Sequence, residues 1–364
     1  MFYWLALNYV QGIGSIKYKA LISHFKSPDE IFKADSVELC KVDGIGKKLA
    51  DAIVRFDDFK AVEAELEKAE RGNINIIKYL DYPSRLREVN DAPPILYIKG
   101  ELSESDENAF SIVGARSASV ENLAFAEEIG SKIASRGVTV VSGMALGIDS
   151  AAHRGALKSG GRTIAVLGSG VDVCYPYSSK DLYDRIADTG AVISEFRLGT
   201  APNRENFPKR NRIISGMSKG LLVVEANTDS GSLITANCAI KQRRKLFAVP
   251  GDIRKSKAKG TNSLIKKGAL LVDCEKDIFD NISFDRKILE GRAIKGVYQA
   301  AAQKHDLTDN ERELFLIINE EAKHIDDIIK ESSLGTSQVS GTLLNLELKG
   351  YIKQYSGKMF VRMS

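Results

Sequence analysis

The chain has 364 residues, a length that suits two or three domains rather than one. Its 43% hydrophobic and 27% charged residues are ordinary for a soluble globular protein. No run of about 18 apolar residues occurs, which excludes a membrane-spanning helix.

Net charge is only +4, but it is unevenly placed: from Arg204 to Lys267 fifteen Lys and Arg face four acids. From Asp306 to Ser364 seven basic residues face ten acidic ones. A basic middle and an acidic tail imply different surfaces and different partners. The first residues, Met1 to Asn8, carry no basic leader or long apolar stretch, so a signal peptide is not expected. Cys40, Cys174, Cys238 and Cys274 are scattered without a C-x-x-C pair, which reads as reduced cytoplasmic thiols. The four histidines lack zinc-ligand spacing, and no metal or cofactor is expected.

Residues 1–70 are expected to be helical. Gly12-Ile13-Gly14 recurs as Gly44-Ile45-Gly46, 32 positions later, each time with lysine and an apolar helix start beyond it. The repeat resembles helix-hairpin-helix (SAM-like) modules, whose glycine turns let backbone amides approach a DNA phosphate. A tight turn between packed helices with no ligand fits the same residues.

From residue 71 the pattern changes to strands. Ile74 to Ile77 and Ile95 to Gly100 read as two, with Pro93-Pro94 excluding a helix before the second. Six further strands follow, each alternating with a helix: Phe110 to Val113, Val138 to Val141, Thr163 to Leu167, Ala191 to Glu195, Gly220 to Glu225 and Leu246 to Val249. This alternation predicts an α/β domain over 71–285, an extended Rossmann-like, doubly wound, mainly parallel sheet. Ligands of such a sheet sit at the carboxyl ends of its strands. The second of the six ends in the turn Gly143-Met144-Ala145-Leu146-Gly147, with a helix opening behind Asp149 and Ser150. Free backbone amides and a positive dipole end then converge on one point, an anion site. Residues 286–305 read as a polar linker, and 306–364 as three helices and a hairpin, a winged helix.

Catalytic residues are scarce. Gly168-Ser169-Gly170 gives G-x-G without the third glycine of a dinucleotide fingerprint, and no G-x-x-x-x-G-K-[ST] or G-x-S-x-G occurs. His153 reads as a packing histidine and Asp149 as a cap or loop brace. Basic residues are plentiful by contrast. Arg116, Arg154, Lys158, Lys209, Arg210, Arg212 and the Arg243 to Lys245 trio occupy separate loops and helices, which suits an extended polyanion. Phe196 and Phe207 lie beside them in sequence and suit either base stacking or packing.

Taken together, the ordered motifs resemble the DprA (DNA-processing protein A, or Smf) family. They include Ile112-Val113-Gly114-Ala115-Arg116, Ser142-Gly143-Met144-Ala145 with Gly147-Ile148-Asp149, Tyr175-Pro176, Phe207-Pro208 with Arg210-Asn211-Arg212, Ser230-Gly231-Ser232 and Val249-Pro250-Gly251. The resemblance implies a cytoplasmic single-stranded-DNA-binding protein of natural transformation and homologous recombination. Such a protein protects incoming strands, helps load the RecA recombinase, dimerises through the core and carries no catalytic activity. Gly114, Arg116, Ser142, Gly143, Ala145, Gly147, Gly168, Ser169, Gly170, Phe207, Lys209, Arg210, Asn211 and Arg212 would then line the DNA groove. Lys158 and Lys241 join them on grounds of charge alone. Two enzymes are the alternatives. A nucleotide-cleaving Rossmann-like protein would need a P-G-G-x-G-T-x-x-E loop, of which only Pro250-Gly251 is present. A Mg-dependent nuclease or repair factor would need carboxylates converging from Asp149 with Glu195 or Glu225.

Overall fold

A computed structural model describes residues 1–285, 307–318 and 322–362. Their contacts form two compact units, residues 1–289 and 290–364. The expected linker, 286–305, lies outside the described residues.

The first unit opens with helices α1 (Phe2–Tyr9), α2 (Ser15–Phe25), α3 (Pro28–Lys33), α4 (Ser36–Leu39), α5 (Lys47–Val54) and α6 (Phe59–Arg71). Leu7, Tyr18, Leu21, Ile31, Leu39 and Ile53 are wholly buried at their centre. Gly14 and Gly46 cap α2 and α5, and Gly12 and Gly44 hold positive φ of 89° and 77°, which favours glycine in both copies of the turn. The turns meet at a cleft of about 690 Å³ lined by Lys17, Lys47 and Lys48.

This module belongs to the same compact unit as the α/β region and packs directly against it. Leu5, Ala6, Val62 and Ala69 share one core cluster with Ile95, Tyr97, Met144 and Ala165 of the α/β region. The backbone amide of Leu198 donates to the Glu65 carboxylate at 2.8 Å, and Lys19 Nζ donates to the Val89 carbonyl at 2.8 Å.

The α/β region is built on a nine-stranded sheet. In chain order its elements are β1 (Ile74–Lys78), α7 (Ser84–Arg87), β2 (Ile95–Gly100), β3 (Ala109–Val113), α8 (Val120–Ser135), β4 (Thr139–Ser142), α9 (Ile148–Lys158) and β5 (Thr163–Val166). Then come α10 (Lys180–Thr189), β6 (Ala191–Ser194), α11 (Asn206–Gly216), β7 (Gly220–Val223), α12 (Gly231–Lys241), β8 (Lys245–Ala248), α13 (Lys259–Lys266), β9 (Leu270–Leu271) and α14 (Glu275–Phe279). The strand order is β1-β2-β6-β5-β4-β3-β7-β8-β9. β1 and β2 run antiparallel, and the other seven strands are mutually parallel. The six core strands expected from sequence are present within a residue or two. β3 to β7 are buried on both faces, which explains their largely apolar composition, whereas β8 starts with exposed Lys245 and half-buried Leu246. The two-residue edge strand β9 was not expected.

The order reverses between β3 and β7, so the crevice beyond their carboxyl ends is the switch point at which such sheets bind ligands. The loops at this switch point are tied together. Glu225 accepts from the Ser119 amide at 3.0 Å, the Ser119 hydroxyl at 2.8 Å and Asn122 Nδ2 at 2.6 Å.

The second unit holds α15 (Asp309–Ile317), β10 (Lys323–His324), α16 (Ile325–Glu331), α17 (Thr336–Leu348), β11 (Ile352–Tyr355) and β12 (Met359–Arg362), with strands ordered β10-β12-β11. Thr308 and Glu311 form a capping box at the start of α15, and Leu314, Ile328, Val339 and Leu346 are wholly buried. This is the expected winged helix.

Candidate nucleic-acid interface

All the β3–β8 loops that leave the carboxyl ends of the parallel strands share one edge of the sheet. Arg116 is exposed in the loop after β3, with its guanidinium carbon 5.1 Å from the centre of the Phe207 ring. Phe207 is half-buried in the first turn of α11, and Tyr175 lies beside it at 5.8 Å between ring centres. Lys209, two residues further along α11, is exposed. Arg116, Phe207 and Tyr175 thus stand together on the ligand-binding edge, with Lys209 exposed in the same first turn of α11, a combination suited to phosphates and unstacked bases. Tyr175 and the neighbouring Tyr177, 82% exposed, were missed as site residues. The Tyr175-Pro176-Tyr177 stretch is a visible signal, but nothing local places it beside Phe207.

The glycine turns are organised differently from the expectation of open phosphate cradles. The Asp149 carboxylate accepts from the Gly143 amide at 3.1 Å and the Ala145 amide at 3.4 Å. An internal anion therefore occupies the position expected for a ligand's phosphate. Asp149 is the loop brace, and Gly147 rather than Asp149 or Ser150 is the N-cap of α9. Gly147 is required for two reasons: its φ is +84°, and a Cβ there would lie 2.3 Å from the Ala115 carbonyl oxygen. A Cβ on Gly114 would meet Ile148 at 2.6 Å, and one on Gly168 would meet Phe207 at 2.8 Å. Gly170 is as tightly enclosed, by the Arg197 carbonyl and Asp172. These glycines admit the protein's own atoms.

Arg210 is the main correction. It is 4% exposed, and its guanidinium donates to the carbonyl oxygens of Gly143, at 2.6 Å, and of Val166. Burial lowers its pKa to about 10, so it stays charged at neutral pH beside Asp149. Burial raises the Asp149 carboxyl, opposed by Arg210 and by the amides of Ala145, Gly143 and Gly114. Arg210 therefore lies beneath the surface, holding the ends of β4 and β5. Ser142 is also buried, donating to the Ile112 carbonyl at 2.6 Å, and buried Ser169 donates to the Val173 carbonyl at 2.8 Å. Asn211 is buried on α11, and Arg212 is paired with Glu195 at 2.7 Å.

Two further expected residues are not brought to this edge. Helices of a parallel sheet run back toward the opposite edge, and Lys158 and Lys241 are the last residues of α9 and α12. Lys158 instead approaches Glu127 at 3.5 Å.

His153 is wholly buried, with Nδ1 2.7 Å from the Thr163 hydroxyl. That hydroxyl donates to the Val140 carbonyl at 2.7 Å, so it accepts from the histidine, whose proton sits on Nδ1. Burial, with Arg210 and Arg154 nearby, lowers the His153 pKa to about 3. It is a neutral packing histidine, as the sequence suggests. The three carboxylates considered for magnesium each have a different local partner: backbone amides for Asp149, Arg212 for Glu195, and Ser119 with Asn122 for Glu225.

A Rossmann-like sheet with an arginine–aromatic platform on its ligand edge, joined to a helix-hairpin-helix module and followed by a winged helix, defines the class of protein. Family comparison agrees segment by segment. Residues 73–283 match the DNA recombination-mediator protein A family, 299–358 the DprA winged helix domain, and 5–56 the SAM-like helix-hairpin-helix tandem. The chain belongs to the DNA recombination-mediator protein A (DprA/Smf) family. Protein Smf of Synechocystis is 31% identical over 99% of this chain and 98% of its own. The crystal structure of DprA from Streptococcus pneumoniae superposes with a TM-score of 0.70 at 32% identity, over 78% of this chain and 99% of that one. DNA processing protein A of Helicobacter pylori gives 0.52 at 26% identity, over 57% and 94%.

Proposed function

We propose that this protein binds single-stranded DNA along the carboxyl edge of its parallel sheet and serves DNA recombination, natural transformation included. The observation that carries this reading is the exposed Arg116 over the Phe207 ring, with Tyr175 alongside. The Helicobacter relative, similar over 57% of this chain, binds single-stranded DNA. Phosphates contact Arg116 and Lys209, bases stack on Phe207 and Tyr175, and the glycine turns position these groups from below.

In this reading the protein acts in the cytoplasm, protects the strand and helps load RecA, and it performs no bond chemistry. No helix among the described residues is long and apolar enough to cross a membrane. It dimerises through the core, for which the edge strand β9 offers exposed Leu270 and Leu271. The winged helix serves protein contacts. Its helix α17 carries no Lys or Arg, and Lys323, Lys330 and Lys349 pair with Glu331, Asp327 and Glu311 of the same unit.

The test is incubation of labelled single-stranded DNA with the protein and Mg²⁺. Retention of intact strand is expected; nicked or shortened product would establish the nuclease instead.

A further inference from the structure

The fold divides the basic stretch between Arg204 and Lys267 into two sets. Lys241, Lys245, Lys266 and Lys267 end or begin elements at the edge opposite the platform. Arg254, Lys255 and Lys257 instead belong to the loop that leaves β8 on the platform's own edge, and Lys259 opens α13 directly behind it.

This loop is fixed in place. The Gly251 amide donates to Asn262 Oδ1 at 3.1 Å, and Asn262 Nδ2 returns a bond to the Gly251 carbonyl at 2.8 Å. The Ala226 amide, just beyond β7, donates to the Lys257 carbonyl at 3.0 Å, and the Gly260 amide donates to the Ala226 carbonyl at 2.8 Å. Lys257 Nζ then reaches across the switch point to the Ser117 carbonyl at 2.7 Å, one residue beyond Arg116. The loop therefore adjoins the Arg116–Phe207 platform directly. Asp252 offsets Arg254 at 2.8 Å, and Lys257 is held by Ser117 with Glu225 at 4.0 Å. Lys255 and Lys259 are exposed and neither has a carboxylate within salt-bridge distance among the described residues, although the Asp252 carboxyl, held low chiefly by Arg254, also feels Lys255. Ile253, 81% exposed, stands beside them.

We infer that the 252–259 loop is a second phosphate-contact segment of the nucleic-acid track. A single strand seated on Phe207 and Arg116 continues across the β3–β7 switch point, and its next phosphates meet Lys255 and Lys259. The inference rests on the single-strand reading above and adds the direction and length of the path. A loop already ordered by its own hydrogen bonds offers these cations without an ordering cost on binding.

The test compares two double variants of equal charge change, Lys255→Ala with Lys259→Ala and Lys266→Ala with Lys267→Ala, on oligo-dT of increasing length at several salt concentrations. Both pairs are exposed, and thermal melts check that each variant folds. Loss of two phosphate contacts flattens the slope of log affinity against log salt by about 1.4, and weakens binding roughly tenfold or more at about 0.1 M salt. That result is expected for the 255/259 variant alone, together with a shorter oligonucleotide at which its affinity stops rising. Equal losses in the two variants, or an unchanged slope in the 255/259 variant, would overturn the inference. Failure of the unaltered protein to retain oligo-dT would instead overturn the single-strand reading itself.

Discussion

Arg210 donates to the Gly143 carbonyl oxygen across 2.6 Å, and a Cβ on residue 143 would lie 2.7 Å from the arginine's Cζ. The glycine and the arginine are one construction. The absence of a side chain at 143 admits a buried guanidinium, which ties two strand ends together and balances Asp149. Replacing Arg210 by Ala strands the Asp149 carboxylate in the core, a change that typically costs about 3–5 kcal/mol. Urea denaturation of Arg210→Ala should show a loss of that order. The salt slope of DNA binding by the folded fraction should stay as in the unaltered protein. A stable variant whose slope drops by one phosphate would place Arg210 on the DNA after all.

Arg116→Ala removes an exposed cation and leaves the core intact. Its melting temperature should hold within a few degrees. Affinity for single strands should fall by a similar factor for every sequence, and the salt slope should flatten by about 0.7. Phe207→Leu keeps the apolar cover over Gly168 but removes the stacking face, for a loss of about 1–3 kcal/mol in binding. Filter retention of homopolymers across salt concentrations separates the two effects.

His153 sets a pH dependence of stability. Its folded pKa is lowered to about 3, while in the unfolded chain it titrates near 6.5. Between these values the unfolded chain binds a proton that the native state refuses. Stability from this group is therefore complete above about pH 6.5, and falls as pH drops toward 3 by up to about 1.4 kcal/mol per unit. His153→Gln lowers stability at pH 7 yet flattens the acid limb. Parallel denaturation curves for variant and parent from pH 7 to pH 4 would contradict a neutral buried histidine.

Deletion of residues 306–364 should leave single-strand affinity within about twofold, because α17 offers no cation for phosphate. A large loss in the truncated protein would assign the winged helix to DNA.

The architecture was legible because periodic patterns report burial directly. Six apolar runs, four of them ending in a glycine turn, correspond to six parallel strands, and two Gly-x-Gly copies to the paired helical hairpins. The site was legible only in part. Arg116 and Phe207 are separated by ninety-one positions, and their contact needs β3, β4 and β5 to stand side by side beneath α11. Lys158 and Lys241 were misplaced because charge says nothing about which end of a helix faces the ligand edge.

By itself, the sequence determined the class of fold, the order of the modules and the family, since glycine turns, strand composition and ordered motifs are local properties of the chain. Tertiary structure alone decided which charges are available. Asp149 fills the turn that looked like a phosphate cradle, Arg210 passes inward through the gap left by Gly143, and Arg212 is paired with Glu195. A charge presents itself to a ligand only when no internal partner satisfies it first, and those partners come from strands and helices far apart in the chain.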